Sequence, residues 1–218
     1  MTRLRIGIVS IAFVFLQFGL AILGWGGFSS FFSHPAFIAL AIATVVLTAA
    51  SLFSHGNVSS GEKEDRSNRW VLLVFTLIAL LMAWLPAYTD RMNLWTFGGD
   101  TLRWFGVFFL VAGGVLRIVP VYVLGNRFSG LVAIQPGHTL VTTGIYRAIR
   151  NPSYLGMLIS SLGWVLTFRS GVGLALVAAM LAPLVARIHA EERLLRSHFG
   201  AEYEDYCART ARLIPGLY

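Results

Sequence analysis

Long apolar stretches alternate with short polar segments along the chain, and six of these stretches stand out. They cover residues 6–25, 36–53, 70–87, 102–124, 152–168 and 172–186. About 20 apolar residues cross the hydrocarbon core of a bilayer, so the first four stretches predict membrane-spanning helices. Only Arg169, Ser170 and Gly171 separate the last two, which predicts a tight helical hairpin. Extension of its second arm by the following helix is the alternative, and it would leave five spans.

The pattern therefore predicts an all-α integral membrane protein with about six transmembrane helices, or with five in the alternative. Composition agrees, because 56% of the 218 residues are apolar and 12% are charged, against about 25% charged in a typical soluble domain. We expect a single membrane domain over residues 1–218. Residues 1–100 would hold three spans with little polar content, and residues 101–218 the polar groups that could carry chemistry.

Basic residues predict which side of the membrane each loop faces, because cytoplasmic loops collect Lys and Arg. Six spans would leave Arg91, Arg103 and Arg169 on one side. The other side would hold Arg3, Arg5, Lys63, Arg66, Arg69, Arg127, Arg147, Arg150, Arg187, Arg193, Arg196, Arg209 and Arg212. We therefore expect both termini, and the polar linker 55–68, in the cytoplasm. This topology explains the formal charge of +7 without a nucleic-acid partner.

The densest polar segment, residues 135–156, leads into the fifth stretch. Asn151 followed by Pro152 predicts a helix start, since Asn caps free amides and Pro is tolerated at the first helical position. Arg147 and Arg150 lie just before this positively polarised helix start, which favours an anion site. The two Arg could equally be topology markers that contact lipid phosphates.

A second polar cluster, residues 187–206, reads as a cytoplasmic continuation of the last helix that ends near Gly200. Helical spacing places Glu192 on an apolar stripe, where an unpaired carboxylate is costly. We therefore expect Glu192 to meet a ligand or an internal partner. Arg187 and Glu191 are four residues apart and could form a salt bridge on the helix surface.

Two further residues are candidates for ligand contacts. Arg117 lies inside the fourth stretch, where a charge is expensive and usually faces a cavity or a partner, although its side chain could also reach the interface. His138 lies in the loop that begins at Gln135. The five His are too far apart in the sequence to predict a metal site, and Cys207 is the only cysteine.

At these residues the sequence resembles the isoprenylcysteine carboxyl methyltransferase family and, more distantly, the phospholipid methyltransferases. The resemblance runs from about Leu124 to the end of the chain. Its matching elements are Gly137-His138-x-Leu140-Val141, Gly144-x-Tyr146-Arg147-x-x-Arg150-Asn151-Pro152-x-Tyr154-x-Gly156, Glu191-Glu192-x-x-Leu195, Phe199-Gly200-x-x-Tyr203-x-x-Tyr206 and Ile214-Pro215-Gly216.

The resemblance implies S-adenosyl-L-methionine as cofactor, in a cytoplasmic pocket formed by the loop before the fifth span and the C-terminal helix. It implies that this pocket is lined by Gln135, His138, Leu140, Gly144, Tyr146, Asn151, Pro152, Tyr154 and Glu192. Eukaryotic members carry His at the position of Asn151, and an Asn cannot take up a proton. We also expect membrane lipids as partners, a lipophilic acceptor that enters from the bilayer, and no nucleic acid or metal. Because the resemblance includes bacterial relatives, the expected location is a bacterial inner membrane.

Methyl transfer to a carboxylate needs no general base, because a carboxylate is already ionised near neutral pH. The protein must align the reactants and hold the carboxylate, a task suited to the planar fork of Arg. We expect Arg187 and Arg117 to hold it and Glu191 to orient one of them. A phospholipid N-methyltransferase and a non-catalytic binding or transport protein with the same anion site are the alternatives.

Overall fold

The computed structural model describes residues 3–54 and 57–218, except for the side chains of Arg3, Leu4 and Asn126. His55 and Gly56 of the predicted linker lie outside the described residues. The chain is mostly helical, and its helices are α1 Arg3–Trp25, α2 Phe28–Phe32, α3 Pro35–Leu52, α4 Trp70–Arg91, α5 Asp100–Leu124, α6 Pro152–Thr167, α7 Gly171–Ala179, α8 Leu181–Phe199 and α9 Ala201–Arg209. Two short strands, β1 Lys63–Glu64 and β2 Ala133–Ile134, pair antiparallel.

Five helical segments are long and apolar enough to cross a membrane. They are Arg5–Trp25, Pro35–Leu52, Arg66–Arg91, Asp100–Leu124 and Gly171–Phe199. The sixth apolar stretch is thus extended by the following helix, which was the alternative to a simple hairpin, because α7 and α8 form one long segment. Instead α6, with 16 residues, is the short helix of the hairpin. The predicted all-α multi-pass membrane protein is confirmed.

Helix α6 packs against α5 through four glycines. A methyl group on Gly106 would lie 2.3 Å from the Thr167 nitrogen, and one on Gly156 would lie 2.4 Å from the Arg117 nitrogen. Gly113 and Gly163 make equally close approaches between these two ends. Small residues let membrane helices approach backbone to backbone. The two helices are therefore antiparallel, and the start of α6 lies beside Arg117.

The first described turns of α1 and the C-terminal residue lie at one end of the helix bundle, which we call the terminus-bearing end. Gly7 of α1 lies beside Leu52, the last residue of α3. The C-terminal residue Tyr218 lies beside His189 of α8, with 3.2 Å between the Tyr218 hydroxyl and Nε2. The opposite end contains Arg91, Arg103 and Arg169, the three residues predicted to share a side.

The predicted linker is more ordered than its polar composition suggested. Its β1 pairs with β2 in the register Lys63 to Ile134 and Glu64 to Ala133. The Gly130 amide donates to the Asn57 carbonyl at 2.8 Å, and the Asp65 amide to the Val132 carbonyl at 2.9 Å. The linker and residues 128–134 therefore form one layer over the terminus-bearing end of the bundle.

Candidate active site

A cavity of about 240 Å³ lies at the terminus-bearing end, enclosed by the end of α5, segment 128–141, the start of α6 and the middle of α8. The structure brings ten of the twelve residues predicted from the sequence into its lining. They are Arg117, His138, Leu140, Tyr146, Asn151, Pro152, Tyr154, Arg187, Glu191 and Glu192. The two polar clusters of the sequence thus converge on one hollow, although their individual roles stay predictions.

The other two predicted residues do not line this cavity. Gln135 is buried, and its side-chain amide donates to the Ser59 carbonyl at 3.2 Å, which ties it to the linker. Gly144 is exposed, with a φ of 62° that permits the turn into the short 3-10 helix Gly144–Arg147. In the structure both residues shape the loop that covers the cavity.

Tyr154, Arg187 and Glu191 form one hydrogen-bonded group on the cavity wall. The Arg187 Nε donates to the Tyr154 hydroxyl at 2.6 Å, and that hydroxyl donates to the Glu191 carboxylate. Arg187 Nε also lies 3.3 Å from Glu191, which confirms the expected i,i+4 pair. A third bond runs from the other side of Arg187 to the Gly130 carbonyl at 2.7 Å. The group joins α6, α8 and the layer above the cavity.

Glu192 meets internal partners, one of the two alternatives predicted from its apolar stripe. It is 1% exposed, and its carboxylate accepts from Arg150 at 3.2 Å and from the Arg212 Nε at 3.0 Å. The bond to Glu192 raises the pKa of Arg212. Arg150 also donates to the Cys207 carbonyl at 3.0 Å. Glu192 therefore fastens the C-terminal segment and the entry to α6 onto α8.

The helix cap predicted at Asn151 is wrong in its detail. Helix α6 does begin at Pro152, but the Asn151 side chain makes no capping bond. Its amide nitrogen donates instead to the Arg212 carbonyl at 2.9 Å. The Arg212 carbonyl is far from Asn151 in the sequence. A cap predicted from local sequence cannot take such a distant acceptor into account.

The predicted anion site at the start of α6 is also different from expectation. The Arg150 guanidinium is already paired with Glu192 and with carbonyls of the C-terminal segment, so it is not free to bind an anion. Arg147 is exposed and does not line the cavity. Arg117, Arg127 and Arg187 also line the hollow, and Arg127 donates to the Thr139 hydroxyl at 2.7 Å. The Arg117 guanidinium, in contrast, makes no hydrogen bond or ion pair with any residue that the structure describes.

Arg117 also lines a second, more open cavity of about 770 Å³, which we call the apolar groove. The groove runs between α1, α3, α4 and α5, and most of its wall is apolar. The two cavities share Arg117, Gly130, Ser153 and Met157. An amphiphile could thus lie in the groove with its polar head beside Arg117.

His138 has an unsatisfied polar atom in this cavity. Its Nδ1 is buried and has no hydrogen-bond partner among the described residues, and its ring lies 5.7 Å from that of Phe199. Burial, followed by the charges of His198 and Arg127, lowers the pKa of His138 below its ordinary value of 6.5. The neutral ring offers one hydrogen bond to a ligand, because a buried polar atom without a partner is costly.

Sequence reasoning missed several lining residues, above all the backbone of Gly130 to Ile134 and the side chains of Leu72, Phe75 and Met157. Apolar residues inside or beside a membrane span carry no signal that separates a cavity wall from a lipid-facing surface. Tyr203 and Tyr206 also line the cavity and were noticed only as part of a motif. Burial raises the pKa of Tyr206 to about 12, so its hydroxyl remains protonated and donates to the Tyr146 carbonyl at 2.7 Å.

Comparison with known proteins assigns the fold and the family. Protein-S-isoprenylcysteine O-methyltransferase A of Arabidopsis thaliana is 31% identical over 145 residues, which cover 63% of this chain and 72% of that protein. The Schizosaccharomyces pombe protein-S-isoprenylcysteine O-methyltransferase is 29% identical over 213 residues, or 93% and 87% of the two chains.

A solved structure gives the same answer for the fold. The eukaryotic intramembrane Ras methyltransferase ICMT superimposes with a TM-score of 0.51 at 19% identity, over 98% of this chain and 85% of that one. The sequence model of the isoprenylcysteine carboxyl methyltransferase family matches residues 106–197. These residues include the start of α6 and the Arg187, Glu191 and Glu192 of the cavity. The chain belongs to the isoprenylcysteine carboxyl methyltransferase family.

Proposed function

We propose that this protein transfers a methyl group from S-adenosyl-L-methionine to the carboxylate of a lipid-like acceptor of the isoprenylcysteine type. The observation that carries the proposal is the position of Arg117, whose guanidinium pairs with no described residue and lies between a polar cavity and an apolar groove. Family membership supports a methyltransferase, and the names of the relatives supply the acceptor class. The cation supports a carboxylate over a protonated amine, which it would repel.

The cavity suits the cofactor in two respects. The unpartnered Nδ1 of His138 can hydrogen bond to a polar ligand, and the lining combines polar groups with apolar walls such as Leu131 and Leu140. S-adenosyl-L-methionine, when bound, supplies an electrophilic methyl group. His138 and the Tyr154 group would hold it, and the layer formed by the linker and residues 128–134 would exclude water.

The acceptor's carboxylate would be held by Arg117 from the groove side. No general base is required, since the carboxylate is ionised at neutral pH. The contribution of the chain is to align the two reactants and to strip water from the carboxylate. Arg187 keeps three of its donor contacts inside the protein, so it positions Tyr154 and Glu191, and Arg117 is the better candidate for direct contact.

We place the terminus-bearing end in the cytoplasm, as the distribution of basic residues indicates. The relatives named above are eukaryotic, so they do not support a location in a bacterial inner membrane. We therefore assign the protein to a membrane that it crosses several times, without naming the compartment.

The test uses purified protein in detergent with labelled S-adenosyl-L-methionine and N-acetyl-S-farnesyl-L-cysteine. We expect a thermal shift with the cofactor alone and base-labile methyl ester with both. Base-stable label in phospholipid would instead support amine methylation. A folded protein that shows neither cofactor binding nor label transfer would contradict the proposal.

A further inference from the structure

Helix α1 brings into the apolar groove an amide side chain that the proposed chemistry does not use. Helix α1 faces the groove with Gly7, Ser10, Val14 and Gln17, which recur at the spacing of one helical face. The Gln17 side chain is partly buried and makes no hydrogen bond with any residue the structure describes.

Several hydroxyls of the groove are satisfied locally, whereas the side chains of Ser10, Thr48 and Gln17 make no hydrogen bond with any residue the structure describes. The Thr44 hydroxyl donates to the Leu40 carbonyl at 2.8 Å, and the Thr76 hydroxyl to the Leu72 carbonyl at 2.8 Å. These bonds lie within the turns of one helix and need no ligand. The longer Gln17 side chain has a donor and an acceptor and projects into an apolar space, where polar groups of membrane helices usually mark the path of a ligand.

Helix contacts give the depth of Gln17 relative to Arg117. Gly7 lies level with Leu52, since a methyl group on Gly7 would be 3.6 Å from the Leu52 side chain, and Gly114 lies beside Leu47. At a rise of 1.5 Å per residue, Arg117 is about 3 Å and Gln17 about 15 Å from the level of Leu52 toward the opposite end. The backbone of Gln17 therefore lies roughly 12 Å deeper in the groove than the backbone of Arg117.

We propose that Gln17 is a specificity-determining residue that selects acceptors with a carbonyl or hydroxyl oxygen in the apolar portion, about 12 Å from the carboxylate. The charge of Arg117 fixes the head of the acceptor, and the amide of Gln17 recognises a second polar point along its tail. The inference rests on the proposed function in one respect, the placement of the carboxylate at Arg117.

Two acceptors test this pairing. One is N-acetyl-S-farnesyl-L-cysteine, with a hydrocarbon tail, and the other is its analogue with a ketone roughly ten bonds from the carboxyl carbon, about 12 Å in an extended chain. We expect the ratio of kcat/KM for the ketone to that for the hydrocarbon acceptor to be about 10-fold higher in the wild type than in Gln17→Leu, which corresponds to one hydrogen bond. Thr44→Val, which removes a groove hydroxyl already satisfied in its helix, should keep the wild-type ratio.

An equal ratio in the wild type and Gln17→Leu would overturn the assignment. If Gln17→Leu does not fold, Gln17→Met keeps the side-chain length and takes its place. Thermal shifts measured with each acceptor alone distinguish a failure of the proposed carboxyl methylation from a failure of the proposed role of Gln17. If no methyl ester forms but the ketone stabilises the wild type more than the Gln17 variant, carboxyl methylation fails while the role of Gln17 stands. If neither measurement distinguishes the two acceptors, Gln17 has no such role.

Discussion

The two ends of the helix bundle both bury arginines with carboxylates, yet they do so in different ways. At the opposite end, Asp90 is 3% exposed and binds Arg103 and Arg169, the latter at 2.7 Å. Arg103 also donates to the Thr167 carbonyl at 2.9 Å and lies over the rings of Trp25 and Phe37. Neither cavity described above reaches this cluster, and each of its three charges has a partner.

The terminus-bearing end is built from the same residue types but is not closed. Glu191 and Glu192 are paired with Arg187, Arg150 and Arg212, while Arg117 faces two cavities and makes no ion pair with any residue in the described part of the chain. A charge inside a membrane span without a partner is costly, so a protein keeps one where a ligand completes the pair. A structural cluster therefore differs from a ligand site in that every charged side chain of the cluster has a partner within the protein.

Removing Asp90 should have the largest effect, on stability. Asp90→Ala leaves two guanidinium groups without their shared carboxylate, and breaking a buried pair in this way costs about 3–5 kcal/mol. Chemical unfolding in detergent measures this loss, and Asp100→Ala is the control because that carboxylate also contacts Arg103 but is 87% exposed. If Asp90→Ala unfolds like the control, the opposite end is not a stabilising cluster.

Removing Arg117 should affect catalysis and spare the fold. Arg117→Gln is expected to lower kcat/KM by about 100-fold, because the acceptor carboxylate loses its charged partner. Its melting temperature and cofactor affinity should stay close to those of the wild type. Arg193→Gln, at a side chain that is 66% exposed, is the matched control for a change of charge. A loss of stability without loss of turnover would make Arg117 a structural residue.

Arg187→Lys tests the intermediate case of a paired cation beside the cavity. A Lys ammonium cannot reproduce the planar fork that joins the Tyr154 hydroxyl to the Gly130 carbonyl. We expect turnover to fall by about 10-fold, the effect of roughly one lost hydrogen bond, and cofactor affinity to change less. Single-turnover rates and cofactor titration measure the two quantities. Wild-type turnover in Arg187→Lys would remove the positioning role.

The smallest expected effect is a pH dependence from His138. Because its pKa is lowered by burial, the ring stays neutral above the ordinary value of 6.5 and becomes protonated only at lower pH in the folded protein. A positive charge there would repel the sulfonium of the cofactor, so cofactor affinity should be constant at neutral pH and fall several-fold in acid. Stability should fall as well, since the unfolded chain takes up this proton at a higher pH than the folded chain.

Titration of cofactor binding between pH 5 and 8 tests this expectation. His138→Gln should flatten the profile, whereas a variant at His189, which is exposed and does not line the cavity, should keep it. An unchanged acid limb in His138→Gln would assign the dependence to another group.

The sequence predicted the fold well because the membrane imposes a simple rule on composition. Apolar stretches of sufficient length had to be helices, and their order along the chain was predicted correctly. The lengths of the hairpin arms were not, because α6 is the short arm and the arm that begins with α7 is the long one. Spacing also revealed the inward Glu192, because a carboxylate on an apolar stripe stands out. Its actual partners, Arg150 and Arg212, are 42 and 20 residues away, so no local pattern could identify them.

The remaining errors have the same physical origin. Asn151 was assigned to a local cap, and Arg150 to a local anion site, yet both bind the C-terminal segment. The linker was predicted to be an open loop because its side chains are polar. Its backbone between residues 57 and 65 nevertheless hydrogen bonds to residues 128–134. Arg117 was singled out because a charge inside a membrane span is energetically costly. That its guanidinium pairs with no described residue could be seen only from the positions of the neighbouring helices.

The shortness of α6 has a consequence for how an acceptor arrives. Sixteen residues rise about 24 Å, while the hydrocarbon layer of a bilayer is about 30 Å thick. If the last turn of α6, level with the first turn of α5, lies at the headgroups of the opposite end, α6 begins about 6 Å beneath the headgroups at the terminus-bearing end. In the proposed reaction the methyl group and the carboxylate would therefore meet below those headgroups, and an apolar acid would reach them by lateral diffusion within the leaflet.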